Sequence, residues 1–147
     1  MKTAIVYYSR HHGNTKKLLD AIATVDNVTL IDVTKHSAYS LSEFDLIGFA
    51  SGIYYQKFSK KVLDFAKSNL PFNKKVFFIY TCGIKFHFYT KAIRAVVSGK
   101  NADIVGEYGC PGFDTFGPFK IVGGIRKGRP NEKDIARAVQ FFRRISK

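Results

Sequence analysis

The sequence predicts a one-domain open α/β sheet, and three observations carry that reading. Five short runs rich in β-branched and aromatic residues recur, at 3–8 (TAIVYY), 28–33 (VTLIDV), 45–50 (DLIGFA), 76–80 (VFFIY) and 103–108 (DIVGEY). Their near-continuous apolar character suits parallel strands covered on both faces. Amphipathic stretches separate them, so strand and helix alternate along the chain. A chain of 147 residues fits one domain, and at that size roughly 68–70% of the unfolded surface is buried on folding.

Each helix has its own signature. In the first, Leu18, Leu19 and Ile22 share a face while Lys16, Lys17 and Asp20 point away. Phe58, Val62, Phe65 and Ala66 form the stripe of the second, and Ala92, Ile93, Val96 and Val97 that of the third. The last is the clearest. Asn131 follows Pro130 as an N-cap, with Asp134 three residues on as a capping-box partner. Ile135, Ala138, Val139, Phe142 and Ile145 then fall on one side. Residues 34–43 are short and polar, and read as a loop or single turn. Repeats and low-complexity tracts are missing.

The chain carries 24 basic against 11 acidic side chains, a formal charge of +13. Such a field attracts anions of every kind. The basic residues are spread over every predicted helix, and no helix-turn-helix, zinc-finger or RNA-recognition signature occurs, so the sequence argues against specific nucleic-acid binding. No run approaches the roughly 18 apolar residues of a membrane span. The apolar block of MKTAIVYYSRHHG is too short for a secretory signal. These features read as a soluble cytoplasmic protein.

In open α/β sheets, ligands sit outside the carboxyl ends of the strands. Here SRHHGNT follows the first strand, SGIYYQKF the third and TCGIKFHFY the fourth, and a long glycine- and proline-containing segment follows the fifth. Nothing comparable stands at the amino ends. The first loop suits a phosphate: Gly13 allows close approach, Ser9, Asn14 and Thr15 supply donors, and the helix from Asn14 supplies its dipole. A polar loop that merely caps a helix is the competing reading. A dinucleotide fingerprint fails for want of three glycines, even though Asp32 stands where a ribose ligand would, and the triphosphate loop is missing. Adjacent His11 and His12 do not have ligand spacing, so no metal is expected. Cys82 and His87 lack the third group of a nucleophilic site.

The strand IVYYS, a loop ending in GNT and the amphipathic helix after it resemble the phosphate loop of the flavodoxin family. GCPGFDTFGPFK with GGIRKGRPNEKD is similar to a clostridial-type branch. The resemblance covers the whole chain. It implies a flavodoxin-like five-stranded parallel sheet of order 2-1-3-4-5, with helices on both faces, and noncovalent FMN. It places Ser9, His11, His12, Gly13, Asn14 and Thr15 around the phosphate. The loop is one residue longer than the family pattern, and histidine replaces a hydroxyl-bearing position, so the contacts of Ser9, Asn14 and Thr15 carry over best. Ser51, Gly52, Ile53 and Tyr54 would flank one side of the flavin ring, with Tyr54 or Tyr55 stacking and Gly52 offering a carbonyl after a backbone rearrangement. Thr81, Cys82 and Gly83 would stand on the other side, with Phe86 or Phe88 as a second aromatic.

The resemblance implies an electron carrier. An FMN-dependent reductase of quinone type and a flavin-free interaction module are the alternatives. Members of the family are typically acidic, whereas this chain is basic, which points to an acidic redox partner. Cys82 and Cys110 each follow or end neighbouring strands, so a disulfide-forming pair and plain packing residues are both open. The stretch 109–130 is long for a structureless connection, a length that often marks function.

Overall fold

The computed structural model describes residues 1–10, 13–83, 88–112 and 128–147. Among the described residues, six strands and four helices follow in the order β1 (Thr3–Tyr8), α1 (Asn14–Val25), β2 (Val28–Asp32), β3 (Leu46–Tyr54), β4 (Lys57–Phe58), α2 (Lys60–Asn69), β5 (Lys75–Cys82), α3 (Lys91–Ser98), β6 (Asp103–Pro111) and α4 (Glu132–Ile145). The parallel sheet runs β2-β1-β3-β5-β6, which is the expected five-strand order once the short β4 is set aside.

One apolar layer packs each face. Leu18, Leu19 and Ile22 of α1, with Ala138, Phe141 and Phe142 of α4, close over Ile5, Leu46, Phe77 and Ile79. Val62, Phe65 and Ala66 of α2, with Ile93 and Val97 of α3, close over Val6, Phe49, Phe78 and Tyr80. The sheet is buried on both sides, which is why its strands read as continuous apolar runs rather than alternating ones. Phe77 lies flat across Gly48, its register partner on β3, and the ring occupies the space a Cβ there would need. Gly109 and Tyr80 repeat the arrangement between β6 and β5.

Two boundaries differ from the sequence expectation. Phe58 belongs to β4 rather than to the helix stripe: it pairs with Ile53, and its buried ring meets Phe78 at 6.2 Å. Helix α2 begins after Ser59, whose hydroxyl accepts from the Lys61 N–H at 3.2 Å. Strand β3 also runs through Ser51–Tyr54, residues read from the sequence as a loop, because the ladder to β5 continues through Ser51–Tyr80 and Gly52–Thr81. Only Tyr55 and Gln56 turn the chain.

The last helix starts as its sequence predicts. The Asn131 side chain accepts from the Asp134 N–H at 3.0 Å, and the Asp134 carboxylate accepts from the Asn131 N–H at 2.8 Å. Arg129 adds a two-pronged bond to the same carboxylate, with Nη2 to Oδ1 at 2.7 Å. Among the described residues, no helix is long and apolar enough to cross a membrane.

Candidate functional site

Helix α1 opens at the carboxyl end of β1 from Gly13, whose φ of 63° lies in the left-handed region. Among the described residues, a Cβ there would meet nothing within 4 Å. No side chain caps the helix at Gly13, and its first turn has no acidic residue. The Ser9 hydroxyl accepts from the Lys16 N–H at 3.1 Å, which leaves its own proton for an incoming acceptor. Lys16 itself turns along the helix: its ammonium bonds Asp20 and sits 5.8 Å from the Tyr7 ring centre. The Asp20 hydrogen bond, the largest influence on it, raises the Lys16 pKa.

Thr15 ties this helix start to the end of β5. Its hydroxyl, only 1% exposed, lies 2.9 Å from that of Thr81. Two hydroxyls that share one hydrogen bond keep one proton, and that proton can still be donated outward. Asn14 packs against the backbone of Gly112, where a Cβ would come within 2.7 Å of its Nδ2. Sequence reading missed Gly112, because nothing in a lone glycine announces a contact with a residue so distant along the chain.

The end of β3 supplies a second wall. Gly52 stands beside Thr81 in register, and the Tyr54 hydroxyl would lie 3.0 Å from a Cβ on Gly52. The Tyr54 ring meets Tyr8 edge-on at 5.5 Å, which brings in a half-buried tyrosine that the sequence reading placed only in a strand. Tyr55 points away, 81% exposed. Ser51 is committed inward: it donates to the Gly52 carbonyl and accepts from the Ser59 N–H at 2.9 Å. Ile53 packs against the core on the α2 side. Ser51, fully buried, can offer a ligand only its backbone. Asp32 accepts from Thr34, as a turn-forming residue.

The donor set fits the phosphate and ring of FMN. Among the described residues, the clear space beside Gly13 and hydroxyls with a proton to spare, one of them the Ser9 hydroxyl that accepts from the first turn, suit a doubly charged phosphate, and no carboxylate opposes it in that turn. Ser9, Gly13, Asn14, Thr15, Gly52, Tyr54, Thr81 and Gly83 gather at one end of the sheet. His11 and His12 lie outside the described residues, as do Phe86, His87 and most of the 109–130 segment.

Of the two readings left open for the cysteines, the structure favours packing: both are free and buried. Strands β5 and β6 are neighbours as expected, but the pairing slips by one between Val76 and Phe77. Continuing the Val76–Ile104 register would set Cys82 opposite Cys110; the slip instead sets Thr81 opposite Cys110. A one-residue shift turns side chains to opposite faces. Cys82 accordingly joins the α2–α3 core and Cys110 the α1–α4 core. The Cys82 thiol donates to the Cys110 carbonyl at 3.8 Å. Burial pushes the Cys110 thiol up to about 12, so it stays protonated at neutral pH. Mild oxidation should leave two thiols titratable after denaturation, and Cys110→Ser should leave one; a loss of both in the oxidised wild type would contradict this geometry.

A parallel sheet of this strand order with helices on both faces defines a flavodoxin-type domain. The family model of the flavodoxin domain matches residues 5–103, and the chain belongs to that family. An uncharacterised protein of Methanocaldococcus jannaschii is 39% identical over 149 residues, spanning 100% of this chain and 99% of its own. Oxidised flavodoxin 2 from Bacillus cereus superposes with a TM-score of 0.72 at 18% identity, over 99% of this chain and 98% of that one. Rubredoxin:oxygen oxidoreductase of Desulfovibrio gigas gives 0.72 at 17% identity, over 99% of this chain but 35% of its own. The block similar to a clostridial-type branch lies beyond the matched residues.

Proposed function

We propose that the chain holds FMN noncovalently at the carboxyl ends of β1, β3 and β5 and carries electrons between redox proteins. The observation that carries this reading is the start of α1: Gly13 is left-handed, no described residue fills the space a Cβ there would take, and the first turn is free of carboxylates. Ser9, Thr15 and the first turn of α1 bind the phosphate. Gly52 brings backbone to the ring, Tyr54 lies along one side, and Thr81 and Gly83 line the other. His11 and His12 complete the phosphate loop. Bound FMN supplies the redox chemistry; the protein positions it and sets the charge around it.

Purified protein should be yellow and release FMN on denaturation. Colourless protein that takes up no FMN would overturn the reading in favour of a flavin-free module. NAD(P)H-dependent turnover of a quinone by the isolated protein would replace the carrier with a reductase.

Charge gives a further expectation. Lys57 is exposed on the hairpin beside the ring side of the site. Lys85, Lys120 and Lys127 lie in the flanking loops of the sequence, outside the described residues. One lysine at about 8 Å in water-like dielectric contributes roughly 0.5 kcal/mol, or about 20 mV for a one-electron couple. Several together should raise the potential of bound FMN by several tens of millivolts over an acidic relative. The gap should shrink as salt rises. A potential that is equally low and does not respond to salt would contradict it.

A further inference from the structure

We propose that the β3–β4 hairpin and the turn into α3 form a docking surface for an acidic protein, with Tyr55 as its anchor. The hairpin turns through two residues with positive φ, Tyr55 at 51° and Gln56 at 66°. Two-residue turns of this hand normally use Asn, Asp or Gly. A tyrosine in the left-handed region is a strained choice, and such strain gathers at functional positions. Its effect is to hold a large ring 81% exposed at the tip of the hairpin.

A second exposed aromatic stands on the same end. Phe88, 39% exposed, precedes α3. A line of ring contacts joins it to the hairpin: Phe88 to Tyr89 at 5.2 Å, Tyr89 to Tyr80 at 6.1 Å, and Tyr80 to Phe58 of β4 at 6.2 Å. Around them stand exposed Lys57, Lys60, Lys61 and Lys91. The hairpin, α2 and α3 carry a single acidic residue, Asp64, and it is bonded to Lys60 at 2.7 Å. Among the described residues, Lys57, Lys61 and Lys91 make no ion pair. An aromatic anchor ringed by unneutralised charge is the make-up of a protein interface core and rim. The charge selects an acidic face. The arginine of these elements, Arg94 on α3, is committed to Thr90 and Glu107, so the unpaired cations of this ring among the described residues are lysines, which favours a protein over nucleic acid, whose phosphates and bases are read preferentially by arginine forks.

The inference rests on the carrier reading only for why a partner should meet this end of the sheet, and FMN-free protein tests it separately. The probe is a labelled acidic [2Fe–2S] ferredoxin, titrated with apoprotein and followed by fluorescence anisotropy. Binding should weaken as salt rises. Lys57→Glu with Lys91→Glu should reduce affinity by about tenfold or more. Lys75→Glu with Lys147→Glu changes net charge equally at the opposite end of the sheet, and should reduce it less than about threefold. Tyr55→Ala should cost about tenfold without altering the salt slope. No ferredoxin binding, equal losses for the two lysine pairs, an unaffected Tyr55→Ala, or tighter binding of a 20-base-pair duplex at the same salt would each overturn the proposal. Success or failure here leaves FMN uptake to be scored on its own.

Discussion

Thr15→Val is expected to bind FMN about 10- to 150-fold more weakly than the wild type, a loss of roughly 1.5–3 kcal/mol. Valine keeps the shape of the buried side chain and removes the hydroxyl, so the packing of α1 on the sheet is preserved. Two hydrogen-bonding roles are lost together. One is donation toward the phosphate; the other is the 2.9 Å bond to Thr81. The Thr81 hydroxyl, itself buried, is then left without that partner, at a stability cost of about 1–3 kcal/mol. Thr81→Val separates the two roles: it should lower stability by a similar amount while weakening FMN binding less. Calorimetric binding and denaturant unfolding on both variants check this. FMN affinity unchanged in Thr15→Val would remove Thr15 from the phosphate site.

The second large effect concerns Asp134. Its carboxylate, 2% exposed, accepts from the Asn131 N–H and from both prongs of Arg129. Asp134→Ala removes a reciprocal cap and leaves Arg129 without its partner. Because Arg129 is 31% exposed, solvent recovers part of its charge, and the total loss should be about 2–3 kcal/mol. The Arg129 hydrogen bond, ahead of the Asn131 N–H, holds the Asp134 carboxyl below the usual carboxylate range. A carboxyl depressed in the folded state contributes stability above its unfolded pKa, near 3.9. That contribution is lost as pH falls through the lower folded value. Unfolding midpoints of wild type and Asp134→Ala should therefore differ most at neutral pH and converge below about pH 4. A difference independent of pH would mean that the carboxylate charge is not what is lost.

The strands and the four helices were legible in the sequence because they rest on periodicity, whereas the sheet order followed from the family resemblance. Leu18, Leu19 and Ile22 mark the inner side of α1 as clearly in the sequence as in the folded chain. The Asn131–Asp134 box was legible because a cap is local. What was not legible depends on pairing. A two-residue strand has no period, so Phe58 read as part of a helix stripe until Ile53 was seen opposite it. The slip beside Val76 leaves no mark in composition, yet it decides whether Cys82 and Cys110 share a face. At the candidate site, Ser9, Gly13, Asn14 and Thr15 could be placed at the strand-to-helix turn from residue type and order. The inward commitment of Ser51 and Ile53 could not be foreseen, because it depends on β3 continuing four residues past its apolar run and on the hairpin folding back.

Whether the start of α1 receives the phosphate of FMN is decided by comparing FMN with riboflavin on one apoprotein. The two ligands share the ring and differ in the phosphate. Quenching of flavin fluorescence gives both dissociation constants under identical salt. FMN should bind at least about a hundredfold tighter than riboflavin, the worth of two charge-assisted hydrogen bonds at the lower end of their range, with a preference that shrinks in Thr15→Val. Equal affinities for the two ligands, or a preference untouched by that substitution, would contradict it.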